Sequence, residues 1–152
     1  MKIRQATIQD RETIWNMLRD YRKASPLQAH DTIDETTAKQ TVEIILTQNR
    51  GIILLSQVEA RITGMLMAVY TFNLWDQKIR YMAELAYWVD PEYRGSSAGY
   101  RLLNQYCQVG NLLIQQQEIQ YYTVSKMVTS PDLNYERFGF ERLEETYICQ
   151  AA

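Results

Sequence analysis

Two short stretches of this 152-residue chain carry residue types that could do chemistry. In the first, an apolar run ends at Val89-Asp90-Pro91. Arg94-Gly95-Ser96-Ser97-Ala98-Gly99-Tyr100 follows and leads into Arg101-Leu102-Leu103 with helical spacing. Small residues between a strand and a helix free the first backbone N–H groups of that helix. Those groups, with the positive end of the helix dipole, make a phosphate site. The segment points to a ligand carrying a pyrophosphate. The second stretch holds Glu84, an acid inside the apolar run Met82-Ala83-Glu84-Leu85-Ala86-Tyr87-Trp88. Burial raises a carboxyl pKa toward neutrality, which suits a proton acceptor. Strand alternation groups Glu84 with Met82, Ala86 and Trp88 on one face. A structural Glu84 that hydrogen-bonds a neighbouring helix fits the same residues.

The elements that must position these groups follow from periodicity and punctuation. Lys2 to Ile8 alternates as a short strand. Asp10 is the N-cap expected for a helix over residues 11–23, with Ile14, Trp15, Leu18 and Tyr21 on one face. After Pro26, a polar loop carries Gln28, His30 and Asp31. Asp34 or Thr36 starts a second helix with Val42, Ile45 and Leu46 as its apolar stripe, and Asn49-Arg50-Gly51 closes it. Gly51–Val58 and Ile62–Thr71 form a hairpin across Glu59-Ala60-Arg61. Ile79–Val89 is a further strand, residues 96–117 the longest helix, and Ile119–Ser125 a strand. Ser130-Pro131-Asp132 opens a short helix that Gly139 ends, and Phe140–Cys149 supplies two final strands or a hairpin. The order is α+β, a central sheet with helices on both faces.

Composition bounds the function. Residues 1–152 are expected to form a single domain with an ordinary core, at 46% hydrophobic and 22% charged residues. A net charge of -2 argues against general nucleic-acid binding. One His makes a His-rich metal site unexpected, and two Cys suggest no disulfide framework. No run reaches the length of a membrane span, and the first residues are no signal peptide. The expected location is cytoplasmic, with no membrane partner.

In this order, the residues resemble the GNAT superfamily of acyl-CoA-dependent N-acetyltransferases. Arg94, Ser97 and Gly99 fall in the register of its pyrophosphate motif, Arg/Gln-x-x-Gly-x-Gly/Ala, after Val89-Asp90-Pro91. Ser97 stands where glycine is usual. Asn134-Tyr135-Glu136-Arg137-Phe138-Gly139-Phe140 matches the family's Tyr-x-x-Phe/Leu-Gly-Phe signature. The resemblance covers nearly the whole chain. It implies a GNAT fold with a mixed sheet of six or seven strands, splayed where pantetheine lies beside Tyr87, Trp88 and Val89.

The resemblance also implies the chemistry: acetyl transfer from acetyl-CoA to a primary amine by direct attack, without a metal. Backbone N–H groups from Gly95 through Ser96, Ser97, Ala98 and Gly99 to Tyr100 would hold the pyrophosphate, and Arg94 would add charge-assisted contacts. Tyr135 is the implied acid for the departing thiolate. A backbone N–H near Trp88 or Val89 would polarise the thioester carbonyl. Glu84, or water, would be the base. His30 would border the acceptor site or stand as a solvated surface residue of its loop. Tyr70, Phe72, Trp75 and Tyr81 would wall an acceptor pocket or serve as core or dimer contacts. The acceptor is a small molecule or a protein amine, and a homodimer is compatible with the family. The alternative is a non-catalytic acyl-CoA-binding module that acts through a protein partner.

Overall fold

The computed structural model describes residues 1–29 and 34–149. It opens with β1 (Lys2–Gln5) and a 3-10 turn leading to α1 (Arg11–Ala24). Asp10 does not cap α1 through its side chain. Its carboxylate accepts the Thr7 N–H at 2.8 Å and pairs with Arg4 at 2.7 Å, so it fastens the turn before the helix. Arg4 holds the Asp10 carboxyl down at a pKa of about 2. At α2 (Glu35–Thr47) the expected cap is present, for Asp34 accepts the N–H groups of Thr36 and Thr37. Asn49, at φ 51, takes the left-handed position after that helix, ahead of Gly51.

Five strands make one sheet in the order β1-β2-β3-β4-β5. β2 (Gly51–Val58), β3 (Arg61–Phe72) and β4 (Arg80–Val89) form an antiparallel meander, with β1 antiparallel on the outside of β2. α3 (Ala98–Gln115) then crosses over so that β5 (Tyr121–Thr123) pairs parallel to β4. Helices cover both faces, as the apolar stripes require. Ile14 and Met17 of α1 and Val42 and Ile45 of α2 pack on Leu55, Met65 and Met67. Leu102, Leu103 and Tyr106 of α3 pack on Leu54, Leu66 and Met82 from the other side. Each fully buried aliphatic side chain contributes about 1.5–3 kcal/mol, which fixes which face of each element turns inward. Among the described residues no helix is long and apolar enough to cross a membrane.

The α+β architecture of the GNAT type stands, with fewer strands than the six or seven expected. The segment 140–149 forms no strand among the described residues. Its apolar residues are scattered among Glu141, Arg142, Glu144 and Glu145, and Leu143, Tyr147 and Ile148 remain exposed. A strand needs one apolar face to bury, and this run offers none. Ser130-Pro131-Asp132 likewise opens no helix. The single 3-10 turn Tyr135–Phe138 starts at Asn134, whose side chain accepts the Arg137 N–H, and ends at Gly139 with φ 89.

The β3–β4 register skips one residue of β4. Met67 pairs with Ala86 and Ala68 with Glu84, leaving Leu85 between them. The bulge shifts the phase of alternation. Met82 packs in the α3 cluster, whereas Ala86 and Trp88 pack in the cluster under α1 and α2. The shared face expected for Met82, Ala86 and Trp88 is therefore split at Glu84.

Candidate active site

The site begins where β4 and β5 part. Their parallel pairing covers Tyr81–Tyr121, Met82–Tyr122 and Ala83–Thr123 and then stops, although β4 runs on to Val89. Two side chains close the vertex of this fork. The Glu84 carboxylate accepts the Ser125 N–H at 3.0 Å. The Tyr106 hydroxyl, from α3, lies 2.8 Å from the Thr123 carbonyl and 3.3 Å from that of Met82. Glu84 is 8% exposed, and burial pushes its pKa up to about 7.

Beyond the vertex a cavity of about 290 Å³ opens between the end of β4, the end of α1 and the chain after β5. Tyr87, Trp88 and Val89 form its floor. Tyr21, Ala24 and Ser25 come from α1, and Met127, Thr129, Ser130, Pro131, Leu133 and Tyr135 from the segment after β5. Tyr93, Arg94, Gly95, Ser96 and Gly99 line its other end. The sequence reading of β4, the Arg94–Gly99 turn and Tyr135 thus converges on one cavity.

The Arg94–Tyr100 turn is built to leave donors over. Ser96 N–H is spent on the Tyr93 carbonyl, and Ala98 N–H on the Ser96 hydroxyl. The N–H groups of Gly95, Ser97, Gly99 and Tyr100 have no acceptor among the described residues. They lie at the N-terminus of an 18-residue helix, where the dipole favours an anion. Gly95 has φ 111, a conformation that side chains rarely adopt. Ser97 has φ -79, an ordinary backbone, so a serine fits where the family more often has glycine.

Space at Gly99 is tight. The Tyr87 hydroxyl donates to the Gly99 carbonyl at 2.5 Å, tying the cradle to β4. A Cβ on Gly99 would stand 3.1 Å from that hydroxyl. Burial holds the Tyr87 hydroxyl far above the ordinary phenol pKa, so it stays a donor.

Arg94 is more constrained than a free phosphate-binding arm. Its Nε donates to the Val89 carbonyl at 2.9 Å, and its guanidinium lies 4.4 Å from the centre of the Trp88 ring. Trp88 is held in turn, since its indole N–H donates to Asp90, which pairs with Arg61. The terminal nitrogens of Arg94 keep no protein partner among the described residues, which leaves them for a ligand.

Tyr135 is half-buried on the cavity wall, edge-on to Phe140. Desolvation, followed by the Glu84 and Asp132 carboxylates, pushes its hydroxyl up to about 12. It is protonated throughout the neutral range. Glu84 stands behind the cavity rather than among the residues that line it.

Other expectations fall elsewhere. Tyr70, Phe72, Trp75 and Tyr81 sit at the start of β4 or across from it, at the opposite end from the cradle, and line no part of the cavity. Phe72 and Trp75 are exposed, while Tyr81 stacks on Tyr121. His30 lies outside the described residues. Sequence reasoning missed Tyr21 as a lining residue, because its helical spacing marks it equally well as core. It also missed Met127 to Leu133, whose only signal was its place between a strand and the Tyr135 motif.

Solved structures share this fold. A predicted acetyltransferase from Clostridium acetobutylicum, determined with acetyl-CoA, superposes with a TM-score of 0.72 at 14% identity, over 98% of this chain and 95% of that one. A ribosomal-protein-alanine N-acetyltransferase from Brucella melitensis biovar Abortus 2308 gives 0.63 at 13% identity, over 99% and 100% of the two chains. An aminoglycoside acetyltransferase from an uncultured soil metagenomic sample gives 0.63 at 13% identity, over 99% and 96%. At these identities the likeness carries the fold alone. No curated relative matches the sequence closely enough to carry an argument. The acetyltransferase (GNAT) family profile matches residues 12–140, and the chain belongs to that family of acetyl-CoA-dependent acetyltransferases.

Proposed function

We propose that this chain moves an acetyl group from acetyl-CoA to a primary amine, on a small molecule or a protein, by direct attack. The observation that carries the reading is the meeting, in one cavity, of the open β4 edge at Tyr87–Val89 with Gly95 and Gly99, two residues of the turn whose N–H groups are free. A long ligand with an anionic middle and an amide-bearing arm suits both at once. The cradle and the terminal nitrogens of Arg94 would take the pyrophosphate. The unpaired β4 edge from Tyr87 to Val89, which lines the cavity, would hydrogen-bond the amides of pantetheine as an added strand would. Trp88 and Val89 would bring the thioester beneath Tyr135.

In the transfer, the amine nitrogen bonds to the acetyl carbon and the carbon–sulfur bond breaks. Tyr135 gives its hydroxyl proton to the departing sulfur, and the amine's proton passes through water back to the Tyr135 oxygen, which restores the hydroxyl. Burial keeps the Tyr135 hydroxyl protonated throughout the neutral range, as a proton donor must be. A covalent acyl-enzyme is not part of the proposal: Cys107 is buried in α3 and Cys149 lies in the exposed tail. The two neighbours with named acceptors act on unlike ones, a ribosomal protein and an aminoglycoside, so the acceptor stays at the level of a primary amine.

The test is thiol release from acetyl-CoA across a panel of amines and lysine-containing proteins. Amine-dependent release supports the reading. CoA binding without release on any acceptor would make this a binding module that acts through a partner.

A further inference from the structure

Glu84 is the buried titratable group that no proposed step uses. Its place in the fold gives it another task. A strand pair that stops inside a protein leaves N–H and C=O groups to be satisfied, and each one left buried and unpaired is costly. At the β4–β5 fork the pairing ends at Ala83–Thr123, and Ser125 follows two residues on along the β5 side. The Glu84 carboxylate reaches across to take it at 3.0 Å. Tyr106, fully buried, ties the Thr123 and Met82 carbonyls at the same level from the α3 side. From Ser125 the chain runs directly into Met127, Thr129, Ser130 and Leu133, one wall of the cavity, and on to Tyr135.

We infer that Glu84 is a positioning residue: it sets the opening of the fork by holding Ser125, and through it the cavity wall and Tyr135, and it does not take the acceptor's proton. The groups facing it are all phenols: Tyr21 from α1, Tyr87 in β4, Tyr106 from α3 and Tyr135 after β5. Desolvation raises its pKa, and the Ser125 N–H is what pulls back. Protonated or ionised, it keeps an oxygen that can accept this N–H, so the tie holds through neutral pH. A glutamine keeps that acceptor oxygen and cannot act as a base. An alanine keeps neither.

The inference rests on the proposed donor only through its probe, CoA. Calorimetric titration with CoA separates the roles. Glu84→Gln should bind CoA within about twofold of wild type, and Glu84→Ala about tenfold more weakly, because the Ser125 N–H loses its carboxylate acceptor. Tyr106→Phe removes the second tie without shrinking the core and should weaken CoA binding in the same direction, which keeps the inference open to refutation where Glu84→Ala does not fold. Thiol release by Glu84→Gln should stay near the wild-type rate, with an unchanged pH profile. Full CoA affinity in Glu84→Ala would overturn the inference, as would loss of turnover in Glu84→Gln with affinity intact. A wild type without CoA affinity would overturn the donor itself.

Discussion

Along its β3 edge, β4 is paired from Arg80 to Val89, with Leu85 the one residue passed over. Along its β5 edge the ladder holds Tyr81, Met82 and Ala83 alone among the described residues, with the Gln120 N–H on the Arg80 carbonyl just before it. The same strand thus serves as a core element on one side and as a ligand edge on the other. The difference shows where this fold keeps binding capacity. Tyr87, Trp88 and Val89, withheld from pairing with β5, open onto the cavity next to the donors withheld from α3 at its N-terminus. Side chains absorb the transition, with Glu84 and Tyr106 at the vertex and the Tyr87 hydroxyl on Gly99 at the mouth.

The contrast is broken most severely at the mouth. Gly99→Glu places bulk against the Tyr87 hydroxyl and a negative charge among the phosphate donors. Like charges brought together at an interface cost several kcal/mol, so CoA affinity should fall by about a hundredfold or more in a calorimetric titration. Retained affinity would mean that the cradle lies elsewhere.

A second test addresses the vertex through stability. The native pKa of Glu84 is raised from 4.5 to about 7. Between those values the folded chain holds a proton that the unfolded chain has released, so stability falls as pH rises through the window and levels off above it. The whole fall is on the order of 3 kcal/mol. Asp10, lowered to about 2, has the opposite sign: its contribution is present above its unfolded pKa and is lost as pH falls below the window. Urea melts at about pH 5 and about pH 8 should show the drop in wild type and a much smaller one in Glu84→Gln.

The tie between Tyr87 and Gly99 predicts coupling. Gly99→Ala crowds a hydroxyl at 3.1 Å, and Tyr87→Phe removes that hydroxyl. Each single change should weaken CoA binding by about tenfold or less, and the double variant should bind better than the sum of the two losses. Strict additivity would break the link. At the far end of β4 the effect should vanish. Trp75 is 88% exposed, and Trp75→Ser should move neither CoA affinity nor stability by more than about 0.5 kcal/mol.

Local signals in the sequence were read well, and distant pairings were not. The Arg94–Gly99 turn, the α1 and α2 stripes, the Asp34 cap and the β2–β3 hairpin are each set by neighbours a few residues away. The bulge at Leu85 depends on the register with Met67 and Ala68, far back in the chain, so alternation put Met82 and Trp88 on one face when they lie on opposite faces. Glu84 was legible as a buried acid. Its partner, the Ser125 N–H, was not, because nothing local marks where β4 and β5 separate. The tail after Phe140 carried strand-forming residues without a face to bury, and strand propensity alone overstated it.

Amine-dependent acetyl transfer in this cavity, with Tyr135 as proton donor, is open to a direct assay. Its most direct measurement is the rate of CoA thiol release from acetyl-CoA with and without a primary-amine acceptor, in wild type and in Tyr135→Phe. The account predicts release that requires the amine and a rate roughly a hundredfold lower in Tyr135→Phe at unchanged CoA affinity. Equal rates in the two proteins, or CoA binding with no release on any amine, would contradict it.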